Sequence, residues 1–290
     1  MADAARLTVA LDDHPHVQAI RSGALSDPAV TLDFAEVDPI HRAFAPMVRR
    51  QAYEMAELAV VTALQALDHG KPIILLPVVI TARLQRGCII TLAGKRIDPR
   101  SLVGQPVGVR AYTQTTGMWV RAALREDYHL PVEEIAWVTQ EEAHVEEYRD
   151  PDFVAHEGTG KSLPDQLRDG DIVAAILGKD LPKSDEFAPL IPDHRAVDEA
   201  WVARHRFMPT NHLVVVSREA YETKPAAIRA AYDLLRRGAE EAHSPVTLFG
   251  AEALRKPLAF IIEECVRQRL IKTPFDADEL LAPAEAILHS

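Results

Sequence analysis

Along this chain, short apolar runs alternate with longer stretches of helical period. The runs Leu7 to Leu11, Val30 to Phe34, Ile73 to Val79, Cys88 to Leu92, Val107 to Val109, Ile135 to Val138, Ile172 to Leu177 and Leu213 to Val216 read as strands. Between them lie helical stretches such as Ala59 to Leu67 and Thr116 to Tyr128, where Val120, Leu124 and Tyr128 fall on one face. Another helix begins at Pro225, a favourable first-turn residue, and continues through Ile228, Tyr232 and Leu235. Strand and helix units in alternation predict an α/β protein.

Two passages suggest that the chain leaves one lobe and later returns to it. From Asp98 to Val109 it is punctuated by Pro and Gly before a fresh strand and helix. Pro209-Thr210-Asn211-His212 then leads into Leu213 to Val216, after a polar, proline-rich stretch from Lys179 to His205. The predicted organisation is a first lobe built from residues 1–109 and 212–290 and a second from residues 110–211, with a ligand cleft between them.

Composition narrows the classes of function. The 290 residues suffice for one large core or two modest ones. Although 48% of them are hydrophobic, no window approaches the roughly 18 consecutive apolar residues of a membrane span. A formal net charge of −11 repels phosphodiester backbones, and no Lys/Arg cluster interleaved with aromatics offsets it. Neither nucleic acid nor a membrane is therefore expected as a partner. Cys88 and Cys265 both lie in apolar stretches and read as small buried hydrophobes, not nucleophiles. Met1 to Arg6 carries no basic signal region and the apolar run at Leu7 is too short for a signal core, which points to the cytoplasm. Formation of a homo-oligomer is left open.

Local chemistry is concentrated in a few places. The segment Tyr112-Thr113-Gln114-Thr115-Thr116-Gly117 lies between a strand and a helix, where backbone N–H groups, hydroxyls and the positive end of the helix dipole converge on an anion. A Thr that only caps the helix is the competing reading. Asp12-Asp13-His14-Pro15-His16 follows the first strand, at the strand ends where open α/β sheets place ligands. With no third ligand at a recognisable spacing, a metal site at His14 and His16 is set aside in favour of a polar turn. His212 stands directly before a strand at the presumed hinge. Glu54 and Glu57 read as the acidic first turn of a helix. Arg83 and Arg86 can clamp a carboxylate through paired hydrogen bonds, or can simply be solvated at the surface. The stretch Gly158-Thr159-Gly160-Lys161-Ser162 has the ending of a phosphate-binding loop, but Ala155 stands where the first glycine belongs and no apolar strand precedes it. Nucleotide binding is rejected on those grounds.

Taken together, the segments resemble the 4,5-dihydroxyphthalate decarboxylase family, which is related in fold to type II periplasmic binding proteins. The most specific match runs from Val107-Gly-Val-Arg-Ala-Tyr112 and Thr115 through Trp119-Val-Arg121, Leu124 and Tyr128 to Glu134-Ile-Ala-Trp137-Val138. Further matches follow in order: Leu7-Thr8 with Asp13 and Gly23, Glu57, Gly160-Lys161-Ser162-Leu163 with Asp169-Gly170, Pro192 to Val197, and Pro209 to His212 with Val214 to Val216. The resemblance covers the chain to about residue 245. It departs at His14-Pro15-His16, where the family pattern has Tyr-Asp-Arg, and at Thr81-Ala82-Arg83, which matches Ser-Arg only approximately.

The resemblance implies a two-lobed α/β fold and a decarboxylase that needs no cofactor, with assistance by a metal left open. Direct loss of CO2 from a benzene ring would leave an aryl carbanion. Protonating the ring carbon first is easier, because an ionised hydroxyl para to the leaving carboxylate pushes electron density onto that carbon. Such a site needs a cradle for a second carboxylate, a base for the phenol and an acid aimed at the ring. The expected carboxylate ligands are Tyr112, Thr115 and Thr116, with Arg83 or Arg86 as further anchors and His16 where the family has Arg. His212 is the expected proton donor, with His14, His16 or Glu57 handling the phenol. The ligand is expected to be a small aromatic carboxylate. Two rivals remain: a solute-binding protein of the same fold, and an enzyme acting on a different hydroxylated or heteroaromatic acid.

Overall fold

A computed structural model describes residues 4–156, 160–178 and 181–289. The strands are β1 (Ala5–Ala10), β2 (Val30–Phe34), β3 (Met55–Ala59), β4 (Ile73–Ala82), β5 (Ile89–Leu92), β6 (Pro106–Val109), β7 (Ala136–Thr139), β8 (Val154–His156), β9 (Ala174–Ile176), β10 (Phe187–Pro189), β11 (Thr210–Ser217) and β12 (Leu248–Phe249). The α-helices are α1 (Pro15–Arg21), α2 (Phe44–Arg50), α3 (Val60–Asp68), α4 (Thr115–Tyr128), α5 (Leu163–Asp169), α6 (His194–His205), α7 (Arg218–Thr223), α8 (Pro225–Glu241), α9 (Ala251–Arg267) and α10 (Ala277–Leu288). Among the described residues, no helix is long and apolar enough to cross a membrane.

The strands form two sheets, ordered β12-β4-β11-β3-β1-β2 and β10-β5-β9-β6-β7-β8. In the first, β3 is buried at every position and β4 at nearly every one, as expected of strands covered on both faces. Side chains on one face, including Leu58, Leu75 and Leu213, pack with Met47 of α2 and Leu64 of α3. Those on the other, including Val9, Val214 and Val216, pack with Val17 of α1 and Ile228 and Leu235 of α8. In the second sheet, β6, β7, β8 and β9 run parallel, and α4 lies over them with its apolar face inward.

The lobe boundaries differ from those expected at 109/110 and 211/212. Strands β5 and β6 belong to the second sheet: Ile89 and Ile90 pair with Ile176 and Ala175, and Val107 to Val109 pair with Ala174 to Ile176. The chain therefore crosses just after β4, near residue 83, and returns at β11. Arg83 N donates to Pro209 O (3.0 Å), so the two crossings lie side by side as an extension of the antiparallel β4–β11 pair. A Pro/Gly-rich passage at 98–109 marks a turn inside lobe two, which is why it reads like a boundary.

The C-terminal helices stay with the first sheet through α10 and β4 but also reach lobe two. Gln268, just past α9, accepts from Arg121 Nε (2.7 Å), donates to Met118 O (3.0 Å), and offers its carbonyl to the Tyr112 hydroxyl (3.0 Å). Arg125 of α4 pairs with Glu264 of α9 at 2.6 Å. The Arg121 position of the family-like stretch is thus an internal brace, and so is Trp119, whose Nε1 donates to Thr210 O at 2.7 Å. Ser162 caps α5 by accepting from Asp165 N, and Lys161 pairs with Asp169 and Asp171, which gives the loop ending at 162 a structural role. Gly158 and Thr159 of that stretch lie outside the described residues.

Candidate active site

A cavity of about 370 Å³ lies where the two lobes meet, with walls from both. On the lobe-one side the central strand β3 places Glu57, which is fully buried. Neighbouring strands bring one histidine from each side. Glu57 is opposite Val214 on β11, so His212, two residues away, shares its face and reaches it diagonally. The turn after β1 supplies His14. The Glu57 carboxylate accepts from His212 Nδ1 at 2.7 Å through Oε1, and from His14 Nε2 at 2.9 Å and Asp12 N at 2.8 Å through Oε2. Burial by itself would raise the Glu57 pKa. The hydrogen bonds and charge of His14 and His212 more than reverse this and hold the carboxyl far below the usual carboxylate range. The result is a buried anion with two imidazoles fixed on it, both lining the cavity.

Lobe two supplies the opposite chemistry. Helix α4 begins at Thr115, preceded by Gln114, whose side chain makes no capping bond, so the first-turn N–H groups face the cavity unpaired within the helix. Arg83, at the crossing, donates from Nη2 to Thr116 Oγ1 at 2.7 Å. Arg83 Nε and Gln114 Oε1 are buried polar atoms without a partner among the described residues. Gly178, after β9, completes the cradle: a Cβ there would stand 3.1 Å from Gln114 Nε2 and 3.2 Å from Arg83 Nη2. Guanidinium, hydroxyl and helix N-terminus together present the donors that a carboxylate or another tetrahedral or planar oxyanion would need.

The expected site residues divide unevenly. His14, Glu57, His212, Arg83, Thr115 and Thr116 converge, with Glu57 buried beneath the two imidazoles and the others at the cavity wall. Thr115 Oγ1 also accepts from Val61 N at 3.3 Å, tying α4 to α3. Arg86 does not reach the cavity. Its guanidinium is buried between Asp127 (2.7 Å) and Asp198 (2.8 Å), whose charges and hydrogen bonds consume its donors. Tyr112 is likewise turned away, fully buried with its hydroxyl on Gln268 O and its ring under the Arg121 guanidinium (4.0 Å). His16 is buried and stacked on His14, with ring centroids 5.1 Å apart, and does not line the cavity. Burial, and then the neighbouring His14, lower its pKa to about 4 against the pull of Glu57, so it is a neutral brace and no replacement for an arginine. Glu57 sits inside a strand, not in a helical first turn, and His212 lies within β11, not ahead of it.

Several cavity residues carry no local signal in the sequence. Phe44 meets His212 edge-on at 5.3 Å and His144 edge-on at 5.5 Å. His144 follows β7 and bonds Thr62 Oγ1 of α3 through Nδ1 at 3.0 Å. Burial, and then Arg110, His41, Arg49 and His212, push its pKa down to about 4. Arg110 and Asn211 also line the space. These positions become neighbours only when the two sheets face each other.

No protein-family model matches the sequence. Over 234 residues, 76% of this chain and 70% of the relative, the sequence is 24% identical to 4,5-dihydroxyphthalate decarboxylase from Comamonas testosteroni. Among solved structures it is similar to the desulfurization enzyme DszB in complex with biphenyl-2-sulfinic acid (TM-score 0.60, 14% identity, 98% of this chain and 99% of that one). It is also similar to the periplasmic aliphatic sulphonate binding protein SsuA from Escherichia coli (TM-score 0.59, 12% identity, 96% of this chain and 92% of that one). The chain therefore has the two-lobed fold of periplasmic binding proteins, together with a distant sequence similarity to a decarboxylase.

Proposed function

We propose that the chain is a cofactor-independent decarboxylase of a hydroxylated aromatic carboxylate such as 4,5-dihydroxyphthalate. The observation that carries this reading is the Glu57 carboxylate holding His14 and His212 at one wall of a cavity whose other wall is an anion seat. Arg83, Thr116 and the α4 N-terminus hold the carboxylate that stays. His14 takes the phenolic proton, so that electron density moves to the ring carbon para to it. His212, with Nδ1 bonded to Glu57, delivers a proton from Nε2 to that carbon. The carbon–carboxylate bond then breaks, its electron pair restores the aromatic ring, and CO2 leaves. Glu57 stays ionised throughout and stabilises each imidazolium in turn. Net, one proton replaces one carboxylate, so each turnover takes up a proton from solvent.

The similarity to the Comamonas decarboxylase supports this reading. The likeness to SsuA supports a second one, in which the same seat holds a small oxyanion without chemistry. Incubation with 4,5-dihydroxyphthalate, with CO2 release and thermal stabilisation both recorded, separates them. The decarboxylase reading expects CO2 from the wild type and binding without turnover in His212→Gln. Stabilisation of the wild type with no CO2 selects the binding reading.

A further inference from the structure

His144 belongs to lobe two by sequence, yet lobe one holds it. Its Nδ1 is 3.0 Å from Thr62 Oγ1, its carbonyl accepts from Arg49 Nε at 2.8 Å, and its ring leans edge-on against Phe44. Thr62 is 1% exposed, and its hydroxyl has no other acceptor among the described hydrogen bonds. If His144 Nδ1 carried the ring hydrogen, the Thr62 hydroxyl would be left as a buried, unpaired donor, which is costly. The favoured arrangement therefore has Thr62 donating to Nδ1, which puts the ring hydrogen on Nε2. The depressed pKa keeps this imidazole neutral at neutral pH, so it presents one fixed donor beside the cavity.

We propose that His144 is a specificity residue that donates its Nε2–H to an oxygen on the ligand's ring, distinct from the carboxylate seated at Arg83 and Thr116. The cavity would then select aromatic acids that carry a ring hydroxyl, and would favour its ionised form. This rests on the reading of the cavity as a site for an aromatic carboxylate. His144 and His212 touch the same Phe44 ring but differ in partner. A carboxylate stands behind His212 and suits it to moving protons; a hydroxyl stands behind His144 and suits it to recognition.

The test is calorimetric binding of 4,5-dihydroxyphthalate and of phthalate, which lacks the hydroxyls, in a His212→Gln background so that no turnover intervenes. A hydrogen bond to an ionised oxygen predicts a preference of about tenfold to hundredfold for the hydroxylated ligand. His144→Phe should bring the two affinities within about threefold while leaving that for phthalate in place. Thr62→Val, which preserves shape and frees the tautomer, should shrink the preference in the same direction. A preference that survives in either folded variant overturns the proposal, as does the absence of binding by both ligands. If the preference collapses as expected but the wild-type protein releases no CO2, the decarboxylase reading fails and this inference stands.

Discussion

Replacing Glu57 by Gln changes few atoms and tests the core of the mechanism. The carboxylate oxygens are not equivalent: Oε2 accepts from both Asp12 N and His14 Nε2, whereas Oε1 accepts from His212 Nδ1. An amide nitrogen at the Oε2 position would face the Asp12 backbone donor, so the amide must turn its oxygen there and its NH2 towards His212. His212 Nδ1 then becomes an acceptor, and its ring hydrogen moves to Nε2. The neutral ring survives, but an imidazolium at that position would place donor against donor. The variant loses a charge-assisted bond of about 1.5–3 kcal/mol and meets a mismatch of about 1–3 kcal/mol whenever His212 is protonated. At about 1.4 kcal/mol per factor of ten, kcat should fall about a hundredfold to ten-thousandfold with ligand affinity nearly unchanged. The assay is initial-rate CO2 release alongside calorimetric binding, with nitrogen NMR of the imidazoles reporting the tautomer independently of activity. Turnover within tenfold of wild type, or a His212 ring that keeps its hydrogen on Nδ1, would refute the reasoning.

Other expectations follow from the same geometry. Gly178→Ala puts a methyl 3.1–3.2 Å from Gln114 Nε2 and Arg83 Nη2, and should weaken carboxylate binding about tenfold or more through one displaced charge-assisted bond, with little change in urea midpoint. Arg86→Met should do the reverse: it strands the buried Asp198, costing about 3–5 kcal/mol in urea unfolding, while the folded fraction binds ligand normally. A large loss of affinity there would return Arg86 to the binding site. His16 is neutral when folded and takes up a proton below about 6.5 when unfolded, so the unfolded state binds more protons and stability falls as pH drops from about 6.5 towards 4. A shift from 6.5 to about 4 corresponds to about 3 kcal/mol, and His16→Phe should make that limb of a pH series of urea melts shallower, the similarly depressed His144 supplying a further share. An unchanged limb would contradict it.

What the sequence makes legible is local. Strand runs such as Ile73 to Val79 and Val107 to Val109 announce themselves because burial on both faces leaves no polar interruptions. The Thr115 terminus is visible because a strand, a short polar turn and a helix are contiguous. Strand β3 is not, since Glu57 breaks its apolar run and mimics an acidic helix start; its charge is tolerated only because His14 and His212, distant in sequence, meet it there. The same blindness separates Arg83 from Arg86. Three residues apart, they look alike, and only the folded positions of Asp127 and Asp198 show that one is consumed in the core. Phe44, Thr62 and His144 were beyond reach for the same reason, as each becomes part of the site by contact across the cleft.

The bond between Gln268 and Arg121 also bears on the order in which the molecule can be made. Helix α4 leaves the ribosome well before α9, yet its fully buried guanidinium has its Nε partner only at Gln268. A nascent chain halted before that residue leaves Arg121 Nε and the Tyr112 hydroxyl without the partners that Gln268 gives them, on and next to the helix whose N-terminus lines the cavity. Lobe two is therefore contiguous in space long before it is complete as a folding unit. The oxyanion seat should acquire its final rigidity only as synthesis ends, and ligand added to stalled chains should stabilise only those long enough to include residue 268.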